Sequence, residues 1–225
     1  MEHDLESRLF VVYSYCLKLS YNRTNDSRAA KEYNSGLSTT EITTVSSLKY
    51  LSAYAPNLQQ QIADLLEQDR LSGYLLNKYP AVSNVANDAA LRNYVVDIKN
   101  QYLKKSQPLS KVVFDKKIHV VNNALGLHSF VSRVQGGKLK SKNEIRISTL
   151  FKNAPLEFLN MIVVHELAHL KEKEHNKAFY QLCRHMLPDY HQIEFDVRVY
   201  LTHLEEKGEV YIGCSSKSKA LLSTA

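Results

Sequence analysis

The sequence His-Glu-Leu-Ala-His-Leu-Lys-Glu-Lys-Glu-His occupies residues 165–175. His165 and His169 are four positions apart, so on a helix both imidazoles lie on one face and can reach one metal ion. Glu166 lies one position further round, close enough to act on a water held by that metal. The spacing therefore predicts a zinc-binding helix with Glu166 as general base.

His175 is the candidate third ligand, six residues after His169. Six residues of an ideal helix turn through about 600°, so a continuous helix would point these two side chains apart. We therefore expect the helix to end near residues 171–174 and the chain to turn back. Three histidines would then hold one zinc ion and leave a fourth position open. The alternatives are two solvent-facing histidines on an amphipathic helix and a solvated turn residue at position 175.

The residues around the motif predict the elements that hold it. Pro155 suits the first turn of a helix, with Asn153 or Ala154 as its cap. The uniformly apolar run 161–164 indicates that this helix is buried just before the ligands. A second helix is expected to start around Asn176, with its apolar face formed by Phe179, Leu182, Cys183 and Met186.

The N-terminal half is predicted to be helical. Apolar residues mark a first helix over residues 5–19, and residues 38–41 resemble a capping box that opens a second helix, ended by Pro56. Asn57 is the expected cap of a third helix, and a fourth is expected over residues 84–104. The third is expected to bury Leu58, Ile62, Leu65 and Leu66, and the fourth Val85, Ala89, Val96 and Leu103.

The pattern changes at residues 104–111, which are the best linker candidate. Short β-rich runs follow at 112–114 and 118–121. Residues 129–134 and 144–148 predict a hairpin across two glycines and a basic turn. A terminal helix is marked by Ile193, Val197, Leu201 and Leu204.

These elements predict three regions and an α+β fold. A helical N-terminal region covers residues 1–105, a catalytic domain covers 106–207, and a loosely held tail covers 208–225. In the catalytic domain, a small, mostly antiparallel sheet packs on the helix that carries the histidines.

Composition limits the classes of protein that remain. The chain has 225 residues, of which 44% are hydrophobic and 23% charged, and these are ordinary globular values. No apolar run approaches 18 residues, and the acidic N-terminus lacks the basic start of a signal peptide. Cys16, Cys183 and Cys214 are odd in number and widely spaced, as expected of reduced thiols. We expect a cytoplasmic protein without a membrane partner.

Positive charge is concentrated in the predicted hairpin, within a chain of net charge +6. Such a patch could recruit a nucleotide, a nucleic acid or an acidic peptide. It could instead be a solvated hairpin whose lysines protect a sheet edge, and we prefer this second interpretation slightly. The cationic residues are Arg133, Lys138, Lys140, Lys142, Arg146 and Lys152, against Glu144 alone.

The run 163–170, together with His175 and the pair Phe179-Tyr180, resembles the YgjP-like metallopeptidase domain. That family is related to the SprT-like and WLM-type zinc peptidases. The resemblance covers residues 110–205 and implies a small gluzincin-like fold, in which a short sheet precedes the helix of the motif. The family's pattern also supports His175 as the third zinc ligand. The chain departs from many relatives at 134–137, which read Val-Gln-Gly-Gly where those relatives carry an aromatic-Gly-Ser-Cys stretch.

Three functions fit these observations. We favour a zinc-dependent metallopeptidase that acts on a peptide or protein, in which residues 144–148 form an edge strand that aligns an extended peptide. The second is a metal-dependent nucleotide pyrophosphatase, since family members also carry that label and the basic hairpin suits triphosphates. The third is a non-catalytic zinc-binding interaction protein, against which the intact Glu166 argues.

Four further residues are candidates for supporting roles at such a site. Tyr180 and Arg146 could donate to the developing oxyanion. Glu194 and Asp196 could serve as a later acidic ligand in place of His175.

Overall fold

The computed structural model describes residues 48–118, 126–135 and 138–211. The helix predicted over 5–19, the capping box at 38–41 and the tail beyond 211 lie outside these ranges. The chain divides into two compact units. Of the described residues, the first unit holds 48–77 and 195–210, and the second holds those between 78 and 194 together with residue 211.

The first unit begins with a short 3-10 helix, Lys49–Leu51, followed by α1, Pro56–Glu67. Ala55 is the cap of α1 and Pro56 its first residue, so the predicted cap at Asn57 is wrong. Proline favours this position because it has no N–H to leave unsatisfied and its φ is already helical. The apolar face of α1 is as predicted, with Leu58, Ile62, Leu65 and Leu66 all buried.

The helix α2, Leu71–Lys78, was not predicted. It is eight residues long and contains Gly73, so its propensity signal is weak. Leu71 and Leu75 are four apart and fully buried, which shows that packing stabilises this helix. The predicted terminal helix is confirmed as α6, Tyr190–Lys207, of which residues 195–207 belong to the first unit.

The second unit opens with α3, Asp88–Tyr102. The Asn87 side chain caps it by accepting a hydrogen bond from Ala90 N at 2.9 Å. The helix therefore starts later than predicted and buries Leu91, Val95 and Lys99 rather than Ala89 and Val96. The predicted Val85 and Leu103 are buried, but they flank the helix. Lys99 is buried along its stem, and its Nζ donates to the Ser106 carbonyl at 3.3 Å.

Three strands form one sheet in the order β1-β3-β2. They are β1, Leu109–Asp115; β2, Gly126–Gln135; and β3, Lys138–Ser148. The predicted hairpin is confirmed, since β2 and β3 pair antiparallel. However, β1 pairs parallel to β3, so the sheet is mixed. The linker predicted over 104–111 ends inside β1.

The predicted edge strand is wrong, because β3 lies at the centre of the sheet. Ile145 of β3 pairs with Val112 on one side and with His128 on the other. Among the described strands, β1 and β2 are the two outer strands of the sheet, and β2 is the one that belongs to the hairpin. The lysines at 138, 140 and 142 are also part of β3 and not of a turn.

The motif helix is α4, Leu156–Ala168. Its cap residue is Pro155 and not the predicted Asn153 or Ala154. Residues 149–153 instead form a separate 3-10 turn before the helix. From Met161 to Val164 every side chain is buried, as predicted. The overall class, α+β with a small sheet packed on the motif helix, is therefore confirmed.

The next helix, α5, spans Lys177–Met186. The Asn176 side chain caps it by accepting from Phe179 N at 2.9 Å, which confirms the predicted start. Phe179, Cys183 and Met186 are buried. None of the helices in the described ranges is long and apolar enough to cross a membrane.

Candidate metal centre

The end of α4 and the start of α5 bring the three predicted histidines together. His165 lies in the last turn of α4, His169 is its C-cap residue, and His175 directly precedes the Asn176 cap of α5. Each histidine contributes one ring nitrogen to a group in which all three nitrogens lie within 4.8 Å of one another. The helix ends at Ala168, earlier than the predicted 171–174, and this early end lets the chain turn back toward His165.

Hydrogen bonds at the far side of two rings orient them toward a common point. His169 Nδ1 lies 3.0 Å from the Glu172 carbonyl oxygen. A carbonyl can only accept, so Nδ1 carries the proton and Nε2 keeps its lone pair. His165 Nδ1 lies 2.7 Å from the Tyr190 hydroxyl.

The donor set fits one zinc ion. Zinc binds imidazole nitrogens at about 2.0–2.1 Å, so tetrahedral coordination places two ligand nitrogens about 3.4 Å apart. His165 Nε2 and His175 Nε2 are 3.1 Å apart. Burial and the neighbouring His169 lower the pKa of His175, which favours the neutral form that a metal requires.

Phe179 forms an apolar wall behind all three histidines. Its ring centroid lies 5.0 Å from that of His165, 4.8 Å from that of His169 and 4.7 Å from that of His175. The side chain is fully buried. The sequence placed Phe179 on the apolar face of α5, but its contact with the ligand rings depends on how α5 meets α4.

Glu166 lies against strand β2. It is 4% exposed, and the backbone N–H of His128 donates to its carboxylate. Burial raises the pKa of Glu166 to about 8, while the His128 N–H acts in the opposite direction. At Gly126, an added Cβ would lie 2.5 Å from Glu166 Oε1. The carboxylate therefore occupies space that only a glycine in β2 leaves open.

His128 was not predicted as a site residue. Its ring is stacked on that of His169, with centroids 6.5 Å apart and planes 13° from parallel. Burial and the neighbouring His169 lower the pKa of His128 to about 4, so the His128 ring is neutral near physiological pH. The sequence signal was a single histidine in a β-rich segment, which does not distinguish it from other histidines.

The other candidates for supporting roles have different surroundings. The Arg146 guanidinium pairs with Asp115 at 2.9 Å and Glu144 at 3.2 Å. A Glu194 carboxylate oxygen lies 3.9 Å from His191 Nδ1. Among the described residues, the group of convergent ligand atoms consists of the three histidines.

The remaining two candidates for supporting roles are Asp196 and Tyr180. Asp196 is fully buried in the first unit and accepts a hydrogen bond from the Tyr74 hydroxyl at 3.0 Å. The Tyr180 ring centroid lies 6.4 Å from that of His175. Tyr180 is therefore the oxyanion candidate that lies beside the histidines.

A buried glutamate beside three convergent histidines, held at the junction of two helices next to a small sheet, is the arrangement of a metallopeptidase-like hydrolase. Comparison with known families matches residues 58–198 to the YgjP-like metallopeptidase domain, and the chain belongs to that family. The match begins inside α1 and continues through the predicted linker. The boundary proposed between residues 105 and 106 stays a prediction.

A curated relative supports the same assignment. The UTP pyrophosphatase of Escherichia coli (strain K12) is 59% identical over 160 residues, which cover 71% of this chain and 96% of that protein. Comparison with solved structures found no significant match.

Proposed function

We propose that the protein is a zinc-dependent hydrolase in which His165, His169 and His175 hold the metal and Glu166 is the general base. The observation that carries this proposal is the convergence of three ligand nitrogens within 4.8 Å, next to a buried carboxylate. When bound, zinc would supply a Lewis acid that polarises the substrate and lowers the pKa of water.

Glu166 is suited to take a proton from water and return it to the leaving group. A pKa near neutrality lets one carboxylate do both steps at ordinary pH. The His128 N–H fixes the carboxylate, and the glycine at 126 provides the space for it. The zinc ion itself would favour the ionised form of Glu166 and so keep it ready as a base.

We propose UTP as the first substrate to test. The relative named UTP pyrophosphatase is 59% identical over nearly its whole length, which favours a nucleotide ahead of a peptide. This order reverses the one that the sequence favoured. In this reaction, water attacks the α-phosphorus, the bond from that phosphorus to the oxygen that bridges the α and β positions breaks, and UMP and pyrophosphate are released.

A peptide is the second candidate, and one structural observation favours it. Among the described residues, the outer edge of β2 has no paired strand, and this strand lies beside Glu166, since Gly126 and His128 are next to the carboxylate. An extended peptide could pair its main chain with such an edge. Its scissile bond would then lie near the base.

The experiment compares UTP, other nucleoside triphosphates and a peptide library as substrates of the purified protein. Zinc content is measured beside activity, and we expect about one zinc per chain. Glu166→Gln should keep the zinc and lower hydrolysis by roughly 10²–10⁴-fold, because only the base is lost. His169→Ala should lose the zinc and the activity together.

Each result has a distinct meaning. Release of pyrophosphate from UTP that depends on Glu166 supports the nucleotide proposal, and cleavage of peptides alone supports the second candidate. If Glu166→Gln loses zinc as readily as His169→Ala does, Glu166 is a ligand and the assigned roles are wrong. Zinc binding without turnover of either substrate would favour a non-catalytic role.

A further inference from the structure

Tyr190 is the buried neighbour of the first histidine. It is the first residue of α6, it is fully buried, and its hydroxyl lies 2.7 Å from His165 Nδ1. The two rings are nearly parallel, with planes 16° apart and centroids 6.4 Å apart. A buried tyrosine hydroxyl needs a polar partner, and here that partner is a candidate ligand.

The direction of this hydrogen bond decides whether His165 can bind a metal. A neutral imidazole carries one N–H. With the proton on Nδ1, the Tyr190 oxygen accepts it, and Nε2 keeps a lone pair toward His175. With the proton on Nε2, that nitrogen cannot be a ligand.

Cys183 offers an acceptor for the hydrogen of the Tyr190 hydroxyl, which the first direction requires. The Tyr190 and Cys183 side chains are hydrogen-bonded, and the thiol is fully buried. Burial raises the pKa of Cys183 to about 12, so it stays a neutral thiol. The Tyr190 hydroxyl can donate its hydrogen to the sulfur and accept from His165, which satisfies the three groups in sequence.

We propose that Tyr190 is a positioning residue that holds His165 in the Nδ1–H tautomer and so prepares its Nε2 for zinc. This inference rests on the proposed zinc site. The Glu172 carbonyl does the same for His169 at 3.0 Å. Phe179 packs against the rings, but an apolar ring cannot select a tautomer, so the role of Tyr190 is separate.

The test removes the hydroxyl and keeps the ring. Tyr190→Phe should bind zinc roughly 10–100-fold more weakly than the unmodified protein in competition with a chelator, as is typical for loss of such an outer partner. The matched control is Tyr79→Phe, another buried tyrosine, whose ring packs on Phe158 of α4. It should leave zinc affinity unchanged.

A second measurement reads the tautomer directly, first in the unmodified protein and then in the variant. Nitrogen NMR of the zinc-free protein should show the proton of His165 on Nδ1, and Tyr190→Phe should show a mixture of tautomers. A structural role in packing alone would leave this ratio unchanged. Equal zinc affinity of Tyr190→Phe and the unmodified protein, or a proton on Nε2 in the latter, would overturn the inference.

The role of Tyr190 and the proposed function can be tested independently of each other. If the protein binds zinc through His165 but hydrolyses neither substrate, the function fails while the role of Tyr190 is still decided by affinity and tautomer. If hydrolysis occurs and Tyr190→Phe binds zinc normally, the inference fails and the function stands.

Discussion

Glu166 is a carboxylate in a place that disfavours charge. It is 4% exposed, and its pKa is about 8 in the absence of metal, against 4.5 for a free side chain. Below pH 8, zinc binding should therefore release a proton from Glu166, and zinc affinity should rise with pH. If Glu166 is the base as proposed, its burial prepares it for catalysis at the expense of the stability of the metal-free protein.

The stability of the metal-free protein should reveal this cost. Because the folded-state pKa is raised, folding binds a proton, and the stabilising contribution present below pH 4.5 is lost as pH rises through 8. Glu166→Gln has no such loss. Its free energy of unfolding, relative to the unmodified metal-free protein, should rise by about 1–4 kcal/mol between pH 5 and 8 in urea titrations. A difference that does not vary with pH would contradict the burial argument.

Gly126 should be required for the placement of Glu166. In Gly126→Ala, the new Cβ would lie 2.5 Å from Oε1 and 2.9 Å from Cγ, so the carboxylate must move. We expect the turnover rate to fall by roughly 10²-fold, as for a small misplacement of a catalytic group, with zinc retained. Gly73→Ala is the control, since nothing lies within 4 Å of its Cβ and α2 should be slightly stabilised. Full activity of Gly126→Ala would show that the carboxylate has other space.

At the scale of elements, the junction between α4 and α5 makes the site. The early end of α4 leaves His169 as a cap residue, and Asn176 starts the next helix one residue after His175. The Asn176 cap therefore holds the start of α5 and, with it, the backbone next to the candidate ligand His175.

Asn176→Ala should reduce both stability and zinc affinity. Loss of this cap should lower the free energy of unfolding by about 1 kcal/mol, and zinc affinity should fall because the chain at His175 is less well held. The matched variant is Asn87→Ala, which removes the same kind of cap from α3. It should cost similar stability and leave zinc affinity unchanged. Equal zinc affinity in the two variants would mean that the α5 cap does not position His175.

At the scale of the whole molecule, the second unit includes α3. Asp88 Oδ1 accepts from Phe114 N at 2.9 Å, and Arg92 donates to the Leu109 carbonyl at 3.3 Å. These contacts tie α3 to β1. We therefore expect a fragment of residues 106–225 to be less stable than one of residues 78–225 in thermal unfolding. If the shorter fragment is equally stable and binds zinc, the predicted boundary between 105 and 106 is supported.

The basic hairpin tests whether overall charge recruits substrate. Lys138, Lys140 and Lys142 all lie in β3. Reversing them to Glu should modestly weaken capture of UTP at low salt, without change in zinc content. The effect should shrink with salt, because exposed charges are screened over about 8 Å at physiological ionic strength.

The control for charge reversal uses other lysines. Lys104, Lys105 and Lys116 are exposed, and changing them to Glu alters the net charge equally. An equal loss of capture in both variants would indicate a general charge effect, and no loss in either would mean that the hairpin lysines are a solvated surface.

Short-range patterns determined the parts of the molecule that depend on neighbouring residues in the chain. The spacing of His165 and His169 predicted their common helix face, and the polar run before Asn176 predicted the turn and the next helix. The runs 129–134 and 144–148, on either side of two glycines and a basic turn, predicted the hairpin. On the helices the decisive contacts join residues three or four positions apart, and the hairpin joins strands that follow one another directly in the chain, so both patterns are visible in one sequence.

Only the tertiary structure decided what surrounds those residues. Tyr190 lies 25 residues from His165 along the chain, and Gly126 and His128 lie about 40 residues before Glu166. The parallel pairing of β1 with β3 puts β3 at the centre of the sheet, and β2 lies beside Glu166, the proposed base. These contacts depend on which faces of distant elements pack together. The local sequence pattern does not specify that packing, because the same tyrosine or glycine would fit many different surroundings.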